Sequence, residues 1–343
     1  MSVQNFWEKL EKPLFVLAPL ANVTDAAFRR LIAQYSKVPG AVPYVTYTEF
    51  VSADGLCLAD DEGKQKLMRD LLFTKGEQPI VAQFFSGKPE LIERAAALAQ
   101  EMGFDGIDIN MGCPDKSIEK QGAGAKLILN SSLACEIIEA AKRGAPKLPI
   151  SVKTRLGYTK DTLDEWLPAL LRANPAVVTI HARTRKELSL VPARWERVKR
   201  GVEIRNEMGS RTLIVGNGDL TDVADARHKV KESGADGAML GRAIFGRPWL
   251  FNEAAHPTLE ERLKIAVEHA KLFEALLGDI KSFSIMKKHF KAYAEGFPGA
   301  KELRMQLMET NSAAEIEQVI SEFLNHYGKN QDTQAYPHEH AAT

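Results

Sequence analysis

Residues 103–126 read GFDGIDINMGCPDKSIEKQGAGAK. Within Gly106–Gly112, Ile107 and Ile109 alternate with Asp108 and Asn110, the two-residue period of a buried strand. The strand runs into Asn110-Met111-Gly112-Cys113-Pro114. Gly112 permits a turn that other residues resist, and Pro114 fixes its own φ while pushing Cys113 towards extended backbone. A thiol is thus presented on constrained backbone where a strand stops. Burial as an inert thiol is the ordinary fate of a free cysteine, but this placement suits chemistry better than packing.

Seven more apolar, β-branched runs flank this one: Leu14–Leu20, Tyr44–Phe50, Pro79–Phe85, Pro149–Arg155, Val177–Arg183, Thr212–Gly218 and Gly237–Ala243. Helical patterns separate them, at Thr24–Ser36 with Thr24 as its cap, Pro89–Met102, Ser131–Arg143, Asp161–Ala173 and Leu220–Ser233; Ser52–Leu72 is the weakest. Strand–helix units in succession mean a parallel sheet, and eight of them close a (β/α)8 TIM barrel of about 250 residues. The polar residues support closure. Glu49, Gln83, Asn110 with Cys113, Lys153 with Arg155, His181 with Arg183, Asn217 with Asp219, and Arg242 all sit at run ends. Active sites of this fold collect at that rim, whereas doubly buried parallel strands are otherwise apolar.

After His256-Pro257 the strands cease. Leu259–Leu277, Ser282–Glu295, Ala300–Glu309 and Ala313–Tyr327 read as helices, punctuated by Gly278-Asp279 and Gly296-Phe297-Pro298-Gly299. The expected α/β organisation is a barrel over 1–256, an all-helical domain over 257–327 and a disordered tail over 328–343.

The 343 residues are 45% hydrophobic and 26% charged with zero formal net charge, so a nucleic-acid site must be a local patch. The start, MSVQNFWEKLEKP, lacks the apolar core of a signal peptide, and no long apolar run predicts a membrane span. Cys57, Cys113 and Cys135 show no CxxC spacing, which points to a reducing cytoplasm and away from a disulfide framework or a metal site. Cys57 and Cys135 read as structural.

Gly216-Asn217-Gly218-Asp219 and Gly241-Arg242 end runs seven and eight, where such barrels bind phosphate; the plainer reading is two ordinary turns. Lys153 could form a Schiff base, face the electron-rich side of a flavin, or simply pair with a core carboxylate such as Asp108. Gly122-Ala123-Gly124 lacks phosphate-loop spacing and reads as a mobile segment beside Cys113, a candidate lid. From 281 to 304 there are six Lys or Arg, Lys287 and Lys288 among them, against two Glu. That cluster is either a solvated helix face or a phosphate-backbone contact.

Taken in order, these residues resemble the tRNA-dihydrouridine synthase family over about 5–327. The matching motifs are Ala18-Pro19-Leu20-Ala21 with Thr24-Asp25, Gln83, Asn110-Met111-Gly112-Cys113-Pro114, Val152-Lys153-Thr154-Arg155 and His181-Ala182-Arg183-Thr184-Arg185. They continue with Asn217-Gly218-Asp219, Gly241-Arg242-Ala243, Gly246-Arg247-Pro248-Trp249, Lys288-His289 and Gly296-Phe297-Pro298-Gly299-Ala300.

The resemblance implies FMN in the barrel and NADPH-driven reduction of the C5=C6 bond of uridine in tRNA. Hydride would pass from flavin N5 to C6, and Cys113 would give the proton to C5. Pro19, Leu20, Ala21, Gln83, Lys153, His181, Asn217, Gly218, Asp219, Gly241 and Arg242 would bind FMN. Asn110, Arg155, Arg183 and Arg185, with Lys287 and Lys288 of the helical domain, would meet the RNA. A monomer is expected, with no membrane and no obligate protein partner.

The chain departs from the family's usual pattern at Leu20, often Met, at Ser189 and Val191 in place of an aromatic residue and Gly, and in a long Trp195–Ile214 segment expected at the RNA-facing rim. The competing functions are an FMN reductase of a free pyrimidine, which would not need the helical domain, a Schiff-base aldolase, and a non-catalytic tRNA-binding protein.

Overall fold

The structure is a computed structural model that describes residues 5–334. Its eight strands are β1 (Leu14–Leu17), β2 (Thr46–Ser52), β3 (Ile80–Phe85), β4 (Gly106–Met111), β5 (Ile150–Arg155), β6 (Val177–His181), β7 (Leu213–Asn217) and β8 (Gly237–Leu240). Every pairing is parallel, in the order β1-β8-β7-β6-β5-β4-β3-β2. The ring closes just before β2, where Leu17 N donates to Val45 O at 2.9 Å and Val45 N to Phe15 O at 2.9 Å. The eight runs therefore form the expected barrel.

Strand alternation sends every second side chain inward. At the N-terminal end these are apolar: Leu14, Val16, Val45, Tyr47, Val81, Val177, Val215 and Met239 pack together with Trp7, whose exposure is 1%. Towards the other end the inward positions turn polar, at Gln83, Asp108, Asn110, Ser151 and Lys153. An apolar floor beneath a polar rim is what positions the site.

The outer helices are α1 (Ala26–Ser36), α2 (Ala53–Leu58), α3 (Asp61–Asp70), α4 (Pro89–Met102), the short α5 (Lys116–Glu119), α6 (Ser131–Gly144), α7 (Leu163–Arg172), α8 (Trp195–Glu207) and α9 (Val223–Ser233). The cap of α1 is Asp25, whose carboxylate accepts from Phe28 N at 2.9 Å, and not Thr24. The Thr24 hydroxyl instead accepts from Leu20 N at 2.9 Å and braces the turn after β1. Such a cap contributes about 1 kcal/mol. The weak helical stretch after β2 splits in two because Asp60 starts a second helix, accepting from Gly63 N at 2.8 Å.

The long segment after the sixth run is α8. Its first turn meets the rim: Trp195 Nε1 donates to Gly218 O at 3.0 Å, a Cβ on Gly216 would lie 2.2 Å from the indole, and Arg197 Nε donates to Asp161 Oδ2 at 2.8 Å in the loop after β5. The helix then runs back to the start of β7 at Leu213.

The chain divides into two compact units: residues up to Ile244 with Pro248–Ala254, and Phe245–Arg247 with the residues from Ala255 onward. The second unit is α10 (Leu259–Leu277), α11 (Lys287–Tyr293), α12 (Ala300–Glu309) and α13 (Ala313–Gln334). A capping box opens α10, with Thr258 N donating to Glu261 Oε2 at 2.7 Å and Glu261 N to Thr258 Oγ1 at 3.3 Å. Phe273, Phe290, Tyr293, Leu303 and Leu307 fill the interior of this unit. Helix α13 continues to Gln334, past Tyr327, where the helical expectation stopped. The remainder of the expected tail, 335–343, lies outside the described residues. No described helix is long and apolar enough to cross a membrane.

Candidate active site at the barrel rim

Strand β4 delivers Asn110 and Cys113 to the rim. The Asn110 carboxamide oxygen accepts from Gly112 N at 3.1 Å and Cys113 N at 2.9 Å, which folds the turn back on the strand. Behind it a buried chain of hydrogen bonds crosses the barrel. Asn110 Nδ2 donates to Gln83 Oε1 at 3.0 Å, Gln83 Nε2 to Asp108 Oδ2 at 2.7 Å, and Ser151 Oγ to Asp108 Oδ1 at 2.6 Å. Cys113 is half-buried. Burial pushes its thiol above the usual range, and the Asp115 amide with the charges of Arg155 and Lys153 offsets this only in part. Cys113 therefore holds its proton at neutral pH.

The expected lid beside it is packed in place. Ala123 and Ala125 are fully buried, and Ala125 N donates to Cys113 O at 2.9 Å. Gly124 has φ +60°, and a Cβ there would stand 2.8 Å from Cys113 O. The glycines allow close approach of backbone to backbone; the sequence pattern alone did not distinguish that from mobility.

Lys153, on β5, makes no hydrogen bond or ion pair among the described residues. The plainer expectation, a pair with Asp108, is not met: the Asp108 oxygens accept from Gln83 and Ser151, and Asp108 acts on Lys153 only through its charge. Burial, then the charge of Arg155, brings Lys153 down to about 8. Asp108 is raised to about 7 by burial, against the hydrogen bonds of Ser151 and Gln83. Next round the ring, His181 is held well below its usual range by burial and by Lys153, Arg155, Arg183 and Arg242. Arg183 Nη1 lies 3.2 Å from His181 Nε2. Guanidinium only donates, so Nε2 accepts and the imidazole proton sits on Nδ1.

At the ends of β7 and β8, Gly218 has φ +131°, and a Cβ on Gly241 would meet only Ala18 at 3.7 Å and Leu20 at 3.9 Å. Gly241 is a backbone a ligand can approach, whereas a Cβ on Gly218 would stand 2.7 Å from Ala193 Cβ. The Asp219 carboxylate is taken by Arg242 at 2.8 Å, by Arg183 and by Ala193 N at 2.8 Å, leaving only its backbone for a phosphate. The side chain of Asn217 donates to Met239 O at 2.7 Å and ties β7 to β8. Pro19, Leu20 and Ala21 form the braced turn after β1.

The three arginines expected at RNA face inward. Arg155 donates to Gly112 O at 2.7 Å, Thr184 O at 3.1 Å and Leu188 O at 3.0 Å. Arg183, 2% exposed, donates to Val191 O at 2.6 Å besides its pairing with Asp219. Arg185 grips Glu119 with two bonds and Pro114 O at 3.2 Å, its guanidinium 5.3 Å from the Tyr158 ring centre. Together they fasten the β6–α8 loop to the Cys113 turn.

In the helical unit, Lys287 is half-buried and Lys288 exposed. An open groove of about 620 Å³ lies beside them in sequence, lined by Lys291, Lys301, Arg304, Met305, Gln306, Met308 and Glu309. The charge count of the sequence signalled the region, Lys291 belonging to the same basic run as Lys287 and Lys288; Met305, Gln306, Met308 and Glu309, along with Asp108 and Ser151, were not singled out as site residues. Cys57 Sγ and Cys135 Sγ lie 3.8 and 3.3 Å from the carbonyls of Leu91 and Ala169 on the helical layer.

A family profile described as dihydrouridine synthase matches residues 16–328. A probable tRNA-dihydrouridine synthase of Staphylococcus aureus (strain MRSA252) is 40% identical over 323 residues, 93% of this chain and 96% of that protein. Probable tRNA-dihydrouridine synthase 2 of Bacillus subtilis (strain 168) is 39% identical over 327 residues, 94% of this chain and 98% of that one. Among solved structures, histamine dehydrogenase from Rhizobium sp. 4-9 superposes with a TM-score of 0.50 at 13% identity, over 75% of this chain and 48% of that chain. That likeness concerns the fold alone.

Proposed function

The chain belongs to the dihydrouridine synthase family, and from that premise we propose that it reduces uridine in tRNA to 5,6-dihydrouridine with FMN as cofactor and NADPH as reductant. The observation that carries the proposal is Cys113, protonated and held at the rim beside a set of cations built for an anionic ligand. The donor set fits FMN. Lys153 has no anion of its own among the described residues, and Gly241 leaves backbone open to a phosphate, with Arg242 next in the chain and Gly218 proposed to complete the loop pair. Pro19, Leu20, Ala21, Gln83, His181, Asn217 and the backbone of Asp219 complete the proposed cofactor site.

The chemistry that FMN supplies when bound is hydride transfer to C6 of the uracil, renewed by NADPH. Cys113 holds the proton destined for C5. Lys153 supplies the cation that an electron-rich flavin needs, and neutral His181 offers its Nδ1 proton as a hydrogen-bond donor. Asn110 stands nearest Cys113 and is the proposed contact for the base, while Arg155, Arg183 and Arg185 hold the loops that face RNA.

The base must leave the tRNA stack, at a cost of a few kcal/mol. Recognition then rests on RNA shape and phosphates, for which Lys287, Lys288 and the basic groove of the helical unit provide cations. In this reading the barrel, 1–256, is the catalytic domain and 257–327 the tRNA-binding domain.

The test is nucleoside mass spectrometry of an unmodified tRNA transcript after incubation with enzyme, FMN and NADPH. Dihydrouridine at defined positions is the expected product. A protein that oxidises NADPH with a free pyrimidine but leaves the transcript unchanged is instead the free-pyrimidine reductase.

A further inference from the structure

We propose that Asp108 is a positioning residue, which fixes the orientation of the two buried amides, Gln83 and Asn110, that hold the Cys113 turn in place. The direction of the chain follows from donor and acceptor chemistry. The backbone N–H groups of Gly112 and Cys113 can only donate, so Asn110 must offer them Oδ1. Its Nδ2 then faces Gln83 and requires Oε1 there. Gln83 consequently presents Nε2 to the barrel interior, where only an acceptor satisfies it, and Asp108 Oδ2 is that acceptor.

Ser151 Oγ holds the second oxygen and stops the carboxyl from turning, and Tyr47 Oη stands 3.3 Å from the same hydroxyl. Tyr47, Gln83, Asp108 and Ser151 are at most 1% exposed and Asn110 is 6% exposed. No water competes at such sites, so a flipped amide leaves like groups facing each other and the error passes along the chain. Four neighbouring strands, β2 to β5, each contribute to this relay. Asp108 does not touch the turn itself; it acts through the two amides.

The inference rests on the proposed role of Cys113 for its effect on rate, but not for its effect on the thiol. The experiment therefore has two readouts on purified holoenzyme. The first is the rate at which iodoacetamide alkylates each cysteine, read by peptide mass spectrometry without tRNA. The second is single-turnover reduction of a tRNA transcript.

Asp108→Ala removes the acceptor: alkylation of Cys113 accelerates several-fold while Cys57 and Cys135 keep their rates, and single-turnover reduction at saturating flavin and tRNA falls about 10- to 100-fold. Asp108→Asn keeps an acceptor for Gln83 and offers Ser151 a donor, so both readouts stay within about threefold of the parent. Asp108→Ala with Cys113 alkylated at the parent rate overturns the proposal, as does acceleration at all three cysteines, which would mark general loosening. Should the alanine variant not fold, the asparagine variant decides: a loss of Cys113 protection there overturns the acceptor relay. A parent enzyme that leaves tRNA unreduced would refute the proposed activity and leave the alkylation result standing.

Discussion

Cys113→Ala removes the proposed proton donor while leaving the cations and glycines of the proposed cofactor site in place. Single-turnover reduction of tRNA should fall by about 10²- to 10⁴-fold, with flavin content and its reduction by NADPH unchanged. Parent-level turnover in that variant would remove Cys113 from the reaction. The pH profile follows from the two nearby groups. Cys113 donates only while protonated and its thiol is shifted up, and Lys153 keeps its charge only below about 8. Both lose a proton as pH rises, so the rate should be level near neutrality and decline on the alkaline side, Lys153 first. A rate that climbs with pH would point to Cys113 acting as a thiolate nucleophile. The position of Cys113 just past the end of β4 was legible in the sequence because Pro114 follows it and the alternation of Ile107 and Ile109 stops before it. Asp108 was not, because its part depends on Gln83 and Ser151, which meet it only across the sheet.

The loop between β6 and α8 owes its shape to Arg155. Arg155→Met would leave the carbonyls of Gly112, Thr184 and Leu188 without their donor, at about 1–3 kcal/mol for each buried group. The thermal midpoint should drop by roughly 5 °C or more, given about 2–4 °C per kcal/mol for a unit of this size. An unchanged midpoint with weaker tRNA binding would return Arg155 to direct RNA contact. Elements were read well where local signals agree, as in β4 with its strict alternation or α10 with Thr258 and Glu261 three residues apart. Local signals say less where a long side chain chooses its partner. Nothing local says whether Arg155, Arg183 or Arg185 turns outward to RNA or inward to carbonyls. Gly122–Gly124 poses the same problem, since a glycine that permits motion also permits the tight approach to Cys113 O.

The whole molecule combines a barrel with polar chemistry on one rim and a helical unit carrying a basic groove. Lys291→Glu with Lys301→Glu should weaken tRNA binding and lower the slope of log affinity against log salt by about 0.7–0.9 for each phosphate that the variant no longer neutralises. Turnover at saturating tRNA should hold. Lys287→Glu with Lys288→Glu should act in the same direction, and equal affinities at two salt concentrations would make those lysines a solvated face. Zero net charge hid this groove in the composition, because a whole-chain sum does not register a local excess of Lys291, Lys301 and Arg304 over Glu309. The barrel itself was legible from eight recurring runs, since a count survives errors of a few residues at each boundary.

If reducing power passes through this rim to a uridine in tRNA, the flavin must report it. The visible absorbance of the purified protein would be followed without oxygen, first with NADPH and then with an unmodified tRNA transcript. Flavin bands should bleach with NADPH and return when tRNA is added, with one dihydrouridine formed for each flavin reoxidised. A protein that takes up no flavin, or whose bleached flavin stays reduced in the presence of tRNA, would not be working through this rim as proposed.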